Sequence, residues 1–182
     1  TLDLSGFQTE KVQDMTMLFY GCQALMDLNI QSFVTDHVTD FSGMFYRCFS
    51  LESLDVSHFN TSAAVNMTNM FYGCLELQNL NVSTFDTSAV QTMKGMFGCC
   101  YQLQALDLSS FNTAAVTDMS KMFVSNGSLT ALDLSGFDTG VVTTMSGMFQ
   151  DCTNLRQQYK SPYMDSIHNP YISLHKASIH IP

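Results

Sequence analysis

Sulfur-bearing side chains recur at short spacing along this chain, and soft thiol and thioether ligands are what a copper(I) site uses. The segment MTNMFYGC, residues 67–74, holds two Met and one Cys. Similar segments occupy residues 15–22, 41–48, 93–100, 119–126 and 145–152. A metal site is usually built once, from ligands that converge on one point. Six copies therefore indicate a structural repeat, and we predict that the chain binds neither a metal nor a cofactor.

A 26-residue unit is repeated six times along the chain, without insertion or deletion. The repeats start at Leu2, Leu28, Leu54, Leu80, Leu106 and Leu132. Columns of Phe, Thr, Met and Cys keep the same register, so that the unit reads LxLSxFxTxx(V)xxMxxMFxxCxxLxx. A fixed period of this length is typical of a solenoid, in which each unit buries its apolar residues against the next one.

We therefore predict an α/β repeat solenoid of six coils over residues 1–157. The alternation at the end of each L-x-x-L-x-L segment predicts one short strand per coil and a parallel sheet along one face. Apolar residues such as Val90, Met93, Met96 and Phe97 have the spacing of one face of a helix. Segments such as Asp86-Thr-Ser precede them and contain typical helix-start residues. Short helices or 3₁₀ segments are accordingly expected on the opposite face.

The repeat resembles the leucine-rich repeats of the BspA-type bacterial surface proteins. The resemblance rests on the motif MF-x-x-C-x-x-L-x-x-L-D-L-S-x-F-D-T and covers residues 2–157 of the 182-residue chain. It implies a right-handed leucine-rich-repeat-like coil. The family is similar in function to adhesins and surface-displayed binding proteins, and it also contains many members without an assigned role.

The sulfur columns are predicted to lie in the core rather than to bind metal. Met fills irregular gaps and packs well against aromatic rings. Asn126 replaces Cys in one repeat, because both small side chains can bond the backbone at a turn. We predict buried free thiols at Cys22, Cys48, Cys74, Cys100 and Cys152. Cys99 is expected to be exposed, and a vicinal disulfide between Cys99 and Cys100 remains an alternative.

Two columns of outward-facing residues are candidate partner-binding surfaces. The first is acidic and polar, and consists of Asp3, Asn29, Asp55, Asn81, Asp107 and Asp133. It is expected either to form a shallow groove for a basic or hydroxyl-rich partner or to be a solvated face whose residues suit the turn. The second contains Tyr20, Tyr46 and Tyr72, and is confined to the first three repeats. Tyr is favoured at interfaces, whereas lateral packing is the alternative interpretation.

The charge of the chain excludes some classes of partner. Sixteen acidic residues and seven Lys and Arg give a net charge of −9. This balance disfavours nucleic acid, whose phosphates require clustered cations, and anionic lipid surfaces. No apolar run approaches the roughly 20 residues of a membrane-spanning helix. The remaining class is a protein partner, with a glycan or matrix ligand as a further possibility.

The two ends of the repeat are expected to be covered. Residues 158–182 leave the register, contain all three Pro, and are predicted to form a C-terminal cap or an extended docking tail. Leu2 and Leu4 would leave an unpaired edge at the other end, which predicts either upstream sequence or a partner there.

The sequence predicts a binding protein rather than an enzyme. His37 and His58 occupy variable positions without a neighbouring nucleophile, and no Gly-rich phosphate loop is present. We expect a non-enzymatic protein-binding and adhesion module displayed at the cell surface or outside the cell. The alternative is a structural scaffold subunit embedded in a larger assembly, located in an intracellular or organellar complex.

Overall fold

A 26-residue period governs the fold over residues 1–155, which are the residues that the computed structural model describes. It contains four short strands, β1 (Leu2–Asp3), β2 (Leu28–Asn29), β3 (Ser53–Leu54) and β4 (Asn79–Leu80). β1 pairs with β2 and β3 pairs with β4, both in parallel, and each pairing joins residues 26 apart. The predicted period and the parallel pairing are confirmed. The predicted tail lies outside the described residues.

The prediction of one strand in every coil and one continuous sheet was wrong. The strands form two separate pairs, and the described part of repeats five and six contains none. After β1 the Leu4 N–H still donates to the Asn29 carbonyl at 2.9 Å, whereas the Ser5 N–H turns back to the Asp3 side chain at 2.9 Å. The continuous parallel ladder lies elsewhere. It runs through single bridges between Asp14, Asp40, Asn66, Thr92, Asp118 and Thr144.

The prediction of short helices or 3₁₀ segments was also wrong, because residues 1–155 contain neither. In the segment 15–22, backbone N–H groups donate alternately to the next repeat and to their own repeat. The N–H of Phe19 donates to the Met44 carbonyl of the next repeat at 2.8 Å, whereas the N–H of Tyr20 donates to Met17 of its own repeat at 2.9 Å. A helix would direct every amide back along its own chain. The Met and Phe columns therefore lie on successive turns that pair with the next repeat.

Left-handed backbone at two positions per repeat makes these turns. One column has φ between 55° and 65° and consists of Met17, Gly43, Asn69, Gly95, Lys121 and Gly147. The other has φ between 56° and 78° and consists of Gly21, Arg47, Gly73, Cys99, Ser125 and Asp151. A right-handed helix cannot pass through such residues. Only five of the twelve are Gly, so composition gives little sign of this conformation.

A ladder of stacked rings runs through the core. It is formed by Phe19, Phe45, Phe71, Phe97, Phe123 and Phe149, with neighbouring centroids 5.5–5.8 Å apart and ring planes within 4–8° of parallel. Columns of Leu, Val and Met pack beside it, and Met44, Met70, Met96 and Met122 are buried. The prediction that the repeated Met residues pack in the core is confirmed.

The Cys column hydrogen-bonds the backbone of the preceding repeat. Cys74 Sγ donates to the Phe45 carbonyl at 3.3 Å, and Cys48, Cys100 and Cys152 make the equivalent bond. Asn126 makes it through Nδ2, which donates to the Phe97 carbonyl at 2.8 Å. Its Oδ1 additionally accepts the Cys100 N–H at 2.8 Å. The expectation that Cys and Asn share a backbone-bonding role is confirmed.

Replacing Asn126 by Ala is expected to lower the free energy of unfolding by about 1–3 kcal/mol, because a buried donor and a buried acceptor lose their partner. Asn126→Cys should cost less, since the thiol can donate to the Phe97 carbonyl as it does in the other repeats. Urea unfolding of both variants measures the difference. Equal losses for Ala and Cys would contradict the assigned role.

Candidate interaction surfaces

The sulfur atoms do not form a site but lie in rows that follow the repeats. Within residues 1–155, no three side chains of His, Cys, Asp or Glu are grouped so that they could hold a metal ion. Each buried thiol donates to a carbonyl instead of facing another sulfur, as Cys48 does to Phe19. That the chain binds no metal stays a prediction, since this geometry concerns only the described residues.

The thiols differ in burial. Cys48, Cys74, Cys100 and Cys152 are buried and free, as predicted. Cys22 is only partly buried, so its predicted burial was wrong: it belongs to the first repeat, which among the described residues packs against one neighbouring repeat only. Cys99 is also free and half-buried rather than exposed.

Burial makes the core thiols weak acids. It raises the pKa of Cys48 and of Cys100 to about 12 and that of Cys152 to about 11, and it raises the pKa of Cys74 as well. The thiolate, which is the reactive form of cysteine, is therefore scarce at these four positions near neutral pH. These thiols are packing groups rather than nucleophiles.

Alkylation of the native protein with iodoacetamide near neutral pH is expected to modify Cys99 and Cys22 first. The four buried thiols should react only after unfolding, because they are inaccessible and protonated. Peptide mass mapping over time, with a denatured sample as control, gives the order. Modification of Cys74 as fast as Cys99 in folded protein would refute this packing.

The acidic column is a column of turns. Each Asp or Asn accepts, through Oδ1, the backbone N–H of the residue two positions later, as in Asp107 with Ser109 at 3.0 Å. All six members make this bond, namely Asp3, Asn29, Asp55, Asn81, Asp107 and Asp133. Such side chains replace a backbone turn bond. The interpretation that these residues suit the turn therefore has a direct structural basis, and partner binding there stays a prediction.

The same bonds affect the acidity of the column. The hydroxyl and N–H of Ser109 lower the pKa of Asp107, and the N–H and hydroxyl of Ser135 lower that of Asp133. Ser5 lowers the pKa of Asp3 in the same way, and Ser57 lowers that of Asp55. A carboxyl group whose pKa is lower in the folded state stabilises that state above its unfolded pKa. This stabilisation is lost as the pH falls through the folded value.

Replacing Asp3, Asp55, Asp107 and Asp133 together by Asn should flatten the acid dependence of stability. Asn keeps the turn bond, as Asn81 does at 3.1 Å, but it has no proton to gain. Between about pH 5 and about pH 3, the wild-type protein should lose more unfolding free energy than this variant. Urea unfolding at both pH values tests this. Parallel pH profiles would show that the turn carboxylates do not contribute.

The three column tyrosines form a stacked ladder on the surface. The rings of Tyr20 and Tyr46 lie 5.1 Å apart and 4° from parallel, and those of Tyr46 and Tyr72 lie 5.3 Å apart at 12°. The Arg47 guanidinium lies 5.2 Å from the Tyr46 ring centroid, within cation–π range. Tyr20 is exposed, and the other two are half-buried. The structure thus brings the predicted Tyr residues together as one rigid aromatic surface.

A second group lies at the far end of the ladder. The neighbouring Cys99 side chain and burial raise the pKa of Tyr72. Electrostatic interaction with Cys99 is the main cause that raises the pKa of Tyr101, which is exposed. Sequence reasoning missed Tyr101 because it stands outside the Tyr column. The only sign of Tyr101 in the sequence was an aromatic residue two positions after Cys99.

A groove of about 390 Å³ opens beside the ladder. Its walls are formed by Met17, Tyr20, Ser42, Gly43, Tyr46, Asn66, Thr68 and Asn69. This size lies near the lower end of ligand pockets, about 300–1,000 Å³. Apart from Tyr20 and Tyr46, none of these residues was predicted from the sequence, because the wall combines four different columns of the first three repeats.

Comparison with known proteins places the chain in a family. Residues 1–82 and 74–178 each match the family described as "Mycoplasma protein of unknown function, DUF285". No curated protein and no solved structure matches the chain. Among residues 1–155 there is no helix that is long and apolar enough to cross a membrane. Because the two matched segments together span most of the sequence in tandem, as the internal repeat requires, the chain belongs to the DUF285 family.

Proposed function

We propose that the repeats form a right-handed solenoid of the BspA leucine-rich-repeat type, and that the solenoid is a non-enzymatic binding and adhesion module. The Tyr20–Tyr46–Tyr72 ladder carries this proposal. The first three repeats all have Tyr in this column, whereas the last three have Gly98, Val124 and Gln150. Gly98 is needed where it stands, since the Tyr72 ring covers it, so the change ends the ladder at Tyr72 and leaves three tyrosines as one distinct surface.

Physical features of the ladder support a protein or matrix partner. Stacked rings are held in place before binding, so little side-chain entropy is lost when a partner docks. Tyr offers a large contact area with a polar tip, and Tyr and Arg are over-represented among residues that dominate interfaces. Tyr46 and Arg47 supply both types side by side. The proposed location is the cell surface or the extracellular space.

A structural subunit of a larger assembly is the second candidate, and the exposed apolar side chains of the first repeat favour it. Of the eight large apolar side chains that are exposed within residues 1–155, six lie in this repeat: Leu2, Phe7, Met17, Leu18, Tyr20 and Met26. Phe7 is 57% exposed, whereas Phe33 in the next repeat is 4% exposed. Exposed apolar side chains concentrated in one repeat suit an interaction area, which would be covered within an intracellular or organellar complex.

The double variant Tyr46→Gln/Tyr72→Gln is expected to reduce adhesion of the purified chain by about tenfold or more, since each interface Tyr contributes about 1 kcal/mol or more. Gln is suitable because Gln150 already occupies this column. The assay measures binding of labelled protein to cultured epithelial cells and to immobilised matrix proteins. Val141→Ser, at an exposed apolar position of the sixth repeat, is the matched control.

Size-exclusion chromatography with light scattering separates the two candidates. A soluble monomer that adheres through the Tyr ladder supports the adhesion module. Protein that aggregates unless a native partner is present supports the embedded subunit. Adhesion unchanged by the double Tyr variant would argue against a binding role for the ladder.

A further inference from the structure

The groove beside the Tyr ladder arises from one alternating column. This column reads Met17, Gly43, Asn69, Gly95, Lys121 and Gly147, so that every second repeat lacks a side chain. Each larger residue lies over the Gly that follows it. Met17 Cγ would be 3.2 Å from a Cβ at Gly43, and the Asn69 amide oxygen occupies the position that a Cβ at Gly95 would need.

The alternation leaves an opening at Gly43 because of how the tyrosines pack. Tyr20 and Tyr46 stay stacked on each other at 5.1 Å. Tyr72 instead leans over Gly98, where ring atoms lie 2.6 Å from the position of an added Cβ, and reaches to 3.2 Å from the same position at Gly95. The Tyr72 ring therefore fills the space above Gly95. No ring performs this role at Gly43, and the groove of about 390 Å³ lies there.

The polar groups in this groove are uncharged and available. The hydroxyls of Ser42, Tyr20 and Tyr46 make no hydrogen bond to any described residue, and neither does the Asn69 amide, whose oxygen lies over Gly95 at the edge of the groove. Each can both donate and accept. The carboxylate of Asp40, in the adjacent column, is already engaged by the N–H of Ser42 at 2.8 Å and by the Asn66 amide at 3.0 Å. Free neutral groups thus surround a notch walled by aromatic rings and a thioether.

We propose that the Gly43 groove binds a neutral sugar unit of a glycan on the adhesion partner, an inference that rests on the proposed function of the Tyr surface. Sugar hydroxyls both donate and accept hydrogen bonds, as the free groups of the groove do. The apolar face of a sugar ring packs against the Met17 side chain and the edges of the stacked Tyr20 and Tyr46 rings. Anionic ligands are disfavoured, since residues 1–155 hold four Lys and Arg against fifteen Asp and Glu.

An extended peptide fits the groove less well than a sugar. A peptide that adds to an edge is held by a row of free backbone N–H and C=O groups. Here the backbone is occupied, because Gly43 N–H donates to Thr68 at 2.8 Å and Phe45 N–H to Met70 at 2.8 Å. Only side chains remain to recognise a ligand. Short, neutral, bifunctional side chains suit a hydroxyl-rich ring.

Gly43→Asn tests the groove directly, in the full chain. Asn69 already stands in this column with φ 55°, so the left-handed backbone tolerates Asn. The new Cβ would lie 3.2 Å from Met17 Cγ and 3.6 Å from Tyr46 Cβ, so the Asn side chain displaces Met17 slightly and narrows the groove. Gly147→Asn is the matched control, since it makes the same change in the sixth repeat at φ 65°. Tyr46→Gln is the second variant, and circular dichroism verifies that all three are folded.

Saturation-transfer NMR and titration against a panel of glycans give the result. The panel contains neutral oligosaccharides ending in galactose, glucose, mannose or N-acetylglucosamine, together with sialylated and sulfated ones and a Pro-rich peptide. We expect at least one neutral glycan to bind the wild-type protein. Its affinity should be about tenfold or more lower for Gly43→Asn and Tyr46→Gln, and within about twofold of wild type for Gly147→Asn. No binding of any neutral glycan, binding of anionic glycans or peptide alone, or binding unaffected by Gly43→Asn would overturn the proposal.

Enzymatic removal of glycans from the target cells separates this proposal from the adhesion function. Loss of adhesion after removal supports a sugar ligand. Adhesion that persists, and still depends on Tyr46 and Tyr72, keeps the function and overturns the sugar site. Glycan binding in solution without adhesion to any cell or matrix keeps the sugar site and overturns the function.

Discussion

In-register contact between consecutive repeats is the constraint on which the whole structure depends. Alternate amides of the turn segment, such as that of Phe19, donate to the next repeat rather than to their own. The buried Thr9 hydroxyl likewise donates to the Val34 carbonyl at 2.9 Å and accepts the Val34 N–H at 2.7 Å. One repeat alone would leave these groups unpaired and its Phe ring uncovered. An insertion within a turn segment would break every bond of that row, which accounts for a period that never varies.

This contact between repeats restricts which residues can occupy some columns but not others. Core columns must repeat, because each side chain is stacked on its own kind, as Phe71 is on Phe97 at 5.8 Å. Columns that face outward carry no such requirement. The Tyr column is intermediate: it changes from Tyr72 to Gly98 where the Tyr72 ring itself covers the next repeat, while the Cys100, Leu103 and Phe97 columns continue unchanged across the same boundary. We expect outward-facing residues that differ between repeats to carry the function.

The sequence predicted the period, the parallel register and the buried columns, because all three follow directly from identical residues 26 apart. It did not predict the turns. Buried residues such as Met93, Met96 and Phe97 recur three and four apart in a run of left-handed turns just as they do on a helix. Left-handed residues such as Lys121 and Met17 carry no compositional sign of that conformation. The groove could not be predicted from the sequence either, since it depends on how the Tyr20 and Tyr46 rings and the Met17 side chain pack around Gly43.

The acidity of the chain has a structural origin, and this changes what it says about partners. Of the fifteen acidic residues within residues 1–155, nine accept the backbone N–H two positions later, namely Asp3, Asp14, Asp40, Asp55, Asp86, Asp107, Asp118, Asp133 and Asp138. Asn and Thr replace Asp in the same columns and make the same bond, as Asn66 does. Asp is therefore present chiefly because a turn needs an acceptor, and the net charge of −9 is largely its by-product. A basic partner does not follow from that charge, whereas the uncharged, unpaired groups around Gly43 serve no turn and are free to meet a ligand.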